Sequence, residues 1–231
     1  MRSILALVLA GSIAGFAAVS AANAAGEHDQ PVPPRNKWSF SGPFGKFDRG
    51  QLQRGFKVYK EVCAVCHGLD LVAFRNLTGL GYSEAQVKAI AAEYKIKDGP
   101  NDSGDMFERD GRPADRFPRP WANENAARAA YGAVPPDFSV IAKARTYERG
   151  FPWFIVDIFT QFQEQGVDYI HALLVGYEEK PPAGVTLPQG TFYNKYFPGH
   201  AIAMPPPLSD KRVDYTDGSP TTVDQYSKDV A

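Results

Sequence analysis

Two cysteines and a histidine stand together in Cys63-Ala64-Val65-Cys66-His67, and no other group in the chain is as well placed to do chemistry. Thiols three residues apart can serve as a dithiol–disulfide couple. They can also form thioethers to the two vinyl groups along one edge of a porphyrin. The histidine favours the second reading. C-x-x-C-H is the mark of covalent haem c attachment, with His67 as the proximal iron ligand. Positions i, i+3 and i+4 share one helical face, which is the spacing such an attachment needs. A redox dithiol would be expected after a strand in a βαβ pattern, and here a helical pattern leads into the motif.

A sixth ligand for the iron must come from elsewhere. Beyond Met1 the candidates are Met106, Met204, His28, His171 and His200. Met106 lies in a charged, Gly-containing loop, a poor place to keep water from iron. His28 lies in an extended N-terminal stretch, and His171 in an apolar helical segment where a satisfied core histidine is the commoner case. Met204 sits in Phe197-Pro198-Gly199-His200-Ala201-Ile202-Ala203-Met204-Pro205-Pro206-Pro207. Its prolines fix φ and stiffen the strap, so a thioether held there loses little further chain entropy. Met204 is the favoured ligand, and His200 is its rival.

The elements that must position these residues can be read outward from the motif. Asp48 is placed to cap a helix of about 48–68, with Gln51 as capping-box partner. Leu52, Phe56, Tyr59, Cys63 and Cys66 then recur at steps of four and three. A second helix is expected at about 83–96 with a Ser83/Gln86 box, then a long charged loop at 97–116 and a helix near 123–131. Helical segments are expected around 152–163 and 167–177, and a short hairpin is possible within 184–193. A C-terminal helix opens at Thr222, with Gln225 as its box partner. The fold class is mainly α.

Hydrophobic residues make up 44% and charged residues 22% of the 231, the balance of an ordinary globular protein. A formal net charge of -1 gives no basis for nucleic-acid binding. Met1-Arg2, the apolar run from Ile4 to Val19 and Ala22-Asn23-Ala24 read as a cleaved secretory signal at 1–24, leaving one domain at 25–231. Export places the chain where c-type haem is attached.

Several segments together resemble cytochrome c1, the haem subunit of the ubiquinol–cytochrome c reductase (cytochrome bc1) complex, in its alphaproteobacterial form. They are Trp38 to Gly45 with Asp48, Arg49 and Gln51 to Arg54, the haem motif, Phe117-Pro118-Arg119-Pro120 with Asn123 to Ala130, Pro135-Pro136-Asp137-Phe138-Ser139, Asp168-Tyr169 to Tyr177, the Met204 strap, and Asp217 to Val230. The resemblance covers about 31 to the end. It implies a class I cytochrome c-like haem domain with long loop insertions and one covalent haem c. His67 and Met204 would be the axial ligands, Arg145 would pair with a haem propionate, and Tyr169 would lie near the haem. It also implies one-electron transfer from the Rieske iron–sulfur protein to a soluble cytochrome c, in company with cytochrome b, at the periplasmic face of the bacterial inner membrane. Glu178, Glu179, Asp210, Asp214 and Asp217 are candidates for steering a basic partner.

The chain departs from the family pattern in two places. The aromatic-rich stretch 149–166 has no counterpart in shorter members and reads as a packing helix or a subunit contact. The family's C-terminal membrane helix is not seen, since the last helix has no room for the roughly 20 apolar residues a span needs. The natural protein is therefore expected to continue into an anchor. Two alternatives to the family reading are a free periplasmic monohaem carrier and a gas-binding haem protein with an open sixth position.

Overall fold

The computed structural model describes residues 31–42, 44–145, 151–152, 155–156 and 165–231. The expected signal segment and most of 149–166 lie outside the described residues.

Helix α1, Arg49–Glu61, is the central element. Asp48 caps it as expected, its side chain accepting from Gln51 N at 2.7 Å. The Gln51 side chain does not close the box; its Nε2 donates instead to Lys228 O at 2.9 Å. Phe56, Val58 and Tyr59 are buried on two sides of this helix. Phe56 and Tyr59 enter a cluster with Phe74, Leu77, Val87, Ala91 and Phe117. Phe117 is its hub, with its ring centroid 4.2 Å from Phe74 and 6.0 Å from Phe56. Burying one such ring stabilises by about 2–3 kcal/mol. Val58 turns to a second cluster with Val213 and Tyr226. The Tyr226 hydroxyl is satisfied there by the backbone of Val213 at both its N–H and its carbonyl.

A 3-10 segment, Phe74–Leu80, leads to helix α2, Glu84–Ala92, where the Ser83/Gln86 capping box forms as expected. The expected end near 96 is too late. The chain leaves the helix after Ala92 and enters strand β1, Lys95–Asp98, which pairs antiparallel with β2, Phe107–Asp110. The charged loop is thus partly a hairpin. Its charges are spent on ion pairs: Lys95 with Asp110 at 2.6 Å across the strands, and Arg109 with Asp98 and Asp115.

Helix α3, Glu124–Tyr131, has Asn123 as its cap. Helix α4, Ile141–Ala144, and helix α5, Gln165–Val175, follow. These two cross so closely that a β carbon on Gly166 would sit 1.6 Å from Ala142 O, so only glycine fits there. The expected hairpin within 184–193 is displaced. Strand β3, Phe192–Tyr193, pairs with β4, Ala201–Ile202, in the register Phe192↔Ile202 and Tyr193↔Ala201.

Helix α6, Val223–Val230, closes the fold against α1. Thr222 caps it by accepting from Gln225 N, while the Gln225 amide bonds to Asp229 rather than completing a box. Gly55 makes the α1–α6 contact possible, since a β carbon there would lie 1.9 Å from Asp229 O. Arg54 clamps the same crossing with bonds of 2.9 and 3.1 Å to Asp229 and one of 2.8 Å to Asp217. The extended N-terminal stretch is stitched to α5: Asn36 N, Asn36 Nδ2 and Trp38 Nε1 all donate to Asp168 Oδ1. No helix among the described residues is long and apolar enough to cross a membrane.

Candidate haem site

The attachment motif does not continue α1. The helix ends at Val62, whose φ of -122° and ψ of -57° break the run, and Cys63–Val65 form a 3-10 turn. The Cys63 carbonyl then accepts from both Cys66 N (3.0 Å) and His67 N (2.9 Å). The expectation of a continuous helical face to Cys66 is corrected: a tight turn brings the three side chains together.

A second segment fastens this turn. Phe138 N donates to Gly68 O at 2.9 Å. Asp70 N donates to Asp137 Oδ2 at 2.8 Å, and Leu71 N to Ser139 Oγ at 3.0 Å. Burial pushes the Asp137 carboxyl up, but bonds from Ser139 and from Asp70 N, with the charge of Arg119, outweigh it and hold the group below the ordinary carboxylate range. It stays ionised and accepts fully. Within this clamp His67 is buried, its ring stacked on Phe138 at 4.2 Å and its Nδ1 2.8 Å from Pro136 O. A carbonyl can only accept, so Nδ1 carries the proton and Nε2 keeps its lone pair. Burial lowers the pKa of His67, against smaller opposing effects from Pro136 O and Asp137. The imidazole is therefore neutral at pH 7 and able to bind a metal.

Sequence reasoning missed three partners on this side. Tyr59 Oη donates to His67 O at 2.9 Å, Trp121 Nε1 donates to Cys66 O at 3.1 Å, and Trp121 packs edge-on against Tyr131 at 4.8 Å. Tyr59 was legible only as one position on the helical stripe. Trp121 carried no local signal. A cleft bounded by Cys66, Trp121, Ala127, Val134 and Pro135 opens beside the turn.

The strap that carries Met204 runs on from β4. Met204 is half-buried, and its carbonyl accepts from Tyr177 Oη at 3.1 Å. Tyr169 lies on α5, and Arg145 stands at the end of α4, which packs against α5. Burial raises the pKa of both tyrosines, so both stay protonated at neutral pH. The Arg145 side chain is exposed, and its guanidinium donates to Ala144 O at 3.5 Å. Met204, Tyr169 and Arg145 are therefore grouped around α5, while Cys63, Cys66 and His67 are grouped at the end of α1.

Of the rival ligands, His28 lies outside the described residues, and both His171 and His200 have partners elsewhere. His171 uses both ring nitrogens, Nδ1 toward Asn36 and Nε2 toward Asp224 at 2.9 Å. His200 directs Nδ1 to Asn194 O at 3.2 Å and stacks on Tyr193. Met106 is 65% exposed. Of the five acidic residues expected to steer a partner, Asp217 pairs with Arg54 and Asp210 accepts from Val223 N. Glu178, Glu179 and Asp214 are exposed.

The donor set fits a haem better than the alternatives. Cys63 and Cys66 are not joined in a disulfide, and burial pushes the Cys63 thiol up to about 12, the reverse of what thiol–disulfide exchange needs. Among the described residues no three His, Cys, Asp or Glu side chains gather to hold an ion, so a bare metal would find too few ligands. A mainly α domain with C-x-x-C-H on a tight turn and a buried neutral histidine defines a c-type haem protein.

Residues 38–231 match the model of the cytochrome C1 family, and the chain belongs to that family. It is 72% identical over 202 residues to a cytochrome b/c1 of Bradyrhizobium diazoefficiens, covering 86% of this chain and 29% of that protein. It is 50% identical to a cytochrome c1 of Blastochloris viridis, covering 100% of this chain and 82% of the relative. A cytochrome c1 of Rhodospirillum rubrum is 43% identical, over 97% of this chain and 80% of the relative. The chain thus spans less than a third of the first of these proteins and about four fifths of the other two. The mainly α reading and the single haem c agree with this membership.

Proposed function

We propose that the chain carries single electrons as the haem-bearing subunit of a quinol–cytochrome c reductase. It takes one electron from a Rieske iron–sulfur protein, gives it to a soluble cytochrome c, and works beside cytochrome b at the periplasmic face of the inner membrane. Residues 1–24 act as the export signal. When bound, the haem iron supplies the one-electron chemistry by alternating between its ferric and ferrous states.

The chain's own residues hold and tune that group. Cys63 and Cys66 bind it covalently, and His67 offers Nε2 to the iron. Met204 supplies the sixth ligand, whose soft sulfur favours the ferrous state and raises the potential. Arg145 neutralises a propionate, and Tyr169 borders the group. The observation that carries the reading is the Pro136 carbonyl on His67 Nδ1 at 2.8 Å, which fixes the tautomer and leaves a buried, neutral Nε2. The test is the visible spectrum of the reduced holoprotein with and without carbon monoxide. The wild-type spectrum is expected to be unchanged, and Met204→Ala is expected to bind the gas. Ready binding by the wild type would refute six-coordination and favour a gas-binding haem protein.

A further inference from the structure

The strap that carries Met204 has no helix or long strand of its own, so something else must fix it. Asn194 does much of this. It is fully buried, at 0% exposure, and every polar atom of its side chain is used. Nδ2 donates to Leu173 O, in the last turn of α5, at 2.7 Å. Oδ1 accepts from Tyr196 N at 3.0 Å and Phe197 N at 3.2 Å. Its backbone N–H donates to His200 O at 2.9 Å, and its carbonyl faces His200 Nδ1 at 3.2 Å. One amide thus ties the start, turn and return of the strap to the end of one helix. Lys195 N adds a bond to Gly176 O at 2.8 Å.

Tyr177 stands two residues past that helix and finishes the connection. Its hydroxyl donates to the Met204 carbonyl at 3.1 Å, across 27 residues of chain. A donor here does not bind sulfur or any ligand. It fixes the backbone atom next to the Cα that bears the thioether. The turn between β3 and β4 adds rigidity, because His200 sits at a φ of 60°, a conformation a non-glycine residue holds only when its surroundings demand it.

We infer that Asn194 and Tyr177 are positioning residues for Met204: they hold the strap so that the thioether stays in place as the sixth ligand. The inference rests on Met204 being that ligand. Without the clamp the sulfur spends more time away, and an external ligand can compete with it. The clamp acts through the Met204 backbone, so its loss is partial where loss of Met204 is complete.

The experiment compares wild type, Met204→Ala, Tyr177→Phe and Asn194→Ser holoproteins. The first readout is carbon monoxide binding by the reduced form. One neutral hydrogen bond corresponds to about a 5-fold change in an equilibrium. Tyr177→Phe is therefore expected to raise the gas-accessible fraction about 5-fold over wild type while staying well short of Met204→Ala. The second readout needs no haem ligand: amide exchange at Tyr196 and Phe197 is expected to speed up in Asn194→Ser and to stay near wild type in Tyr177→Phe. Tyr177→Phe keeps the ring and its packing, so it remains decisive if Asn194→Ser fails to fold. If Met204→Ala binds the gas and Tyr177→Phe behaves as wild type, the positioning role is overturned and the ligand stands. If Met204→Ala also excludes the gas, the ligand reading fails and takes this inference with it.

Discussion

Replacing Gly55 with alanine strikes the contact that holds α1, and with it the attachment turn, in place. A β carbon there would lie 1.9 Å from Asp229 O, 2.8 Å from its carbonyl carbon and 3.4 Å from Val230 Cα. The opposing atoms are backbone, so no side chain can swing aside. The helices would have to part by about 1 Å or more in an interior packed as densely as a crystal. That movement would also loosen Arg54–Asp229, now at 2.9 Å, and Gln51 Nε2–Lys228 O, also at 2.9 Å. Overpacking of this kind costs about 3 kcal/mol. For a domain of about 200 residues, that lowers Tm by about 6–12 °C. Thermal unfolding of the holoprotein followed by far-ultraviolet circular dichroism measures the shift. Gly79→Ala is the control: nothing lies within 4 Å of its β carbon, and its Tm is expected to stay within about 2 °C of wild type. A Gly55→Ala protein as stable as that control would show that the crossing is looser than the structure has it, and would refute the reasoning.

Two further outcomes follow from other contacts. Trp121→Phe keeps an aromatic ring but is smaller than the indole and removes the donor to Cys66 O, so it is expected to cost at least about 1 kcal/mol and lower Tm by about 2–4 °C or more; an unchanged Tm would show the bond to be idle. The bond from Arg109 holds the Asp115 carboxyl down at about 2, and Ser219 N–H with Arg54 holds Asp217 down at about 2. Carboxylates depressed in the folded state stabilise it above the unfolded value near 4 and lose that contribution as pH falls toward 2. Tm is therefore expected to drop across that window and to drop less in Asp217→Asn; equal slopes in the two proteins would rule Asp217 out as a contributor.

The site was most legible where its chemistry is local. C-x-x-C-H reads directly because its three side chains lie within five residues, even though the structure sets them on a 3-10 turn rather than a continuing helix. Caps read equally well: Asp48, Ser83 and Thr222 all accept the expected backbone N–H. Their box partners read less well, because Gln51 and Gln225 lie within reach of α6 groups that no local pattern reveals. The β1–β2 hairpin was hidden because its charged residues look like a solvated loop until the cross-strand ion pairs are seen. The β3–β4 register was hidden because it depends on a buried asparagine reaching back to α5. Pro136, Trp121 and Tyr177 touch the site from far along the chain, and residue spacing cannot report such contacts.

The ends of this fold close on each other. Arg54 reaches Asp229 across 175 positions, Gln51 reaches Lys228 across 177, and Asn36 reaches Asp168 across 132. Contacts at such separation give the chain a high contact order, and loop-closure entropy must be met before they contribute anything. The segment that bears the cysteines leaves the ribosome early, yet its helix gains its tightest partner only when residues near 229 have followed. Between those moments the attachment turn sits on a helix packed along one side only.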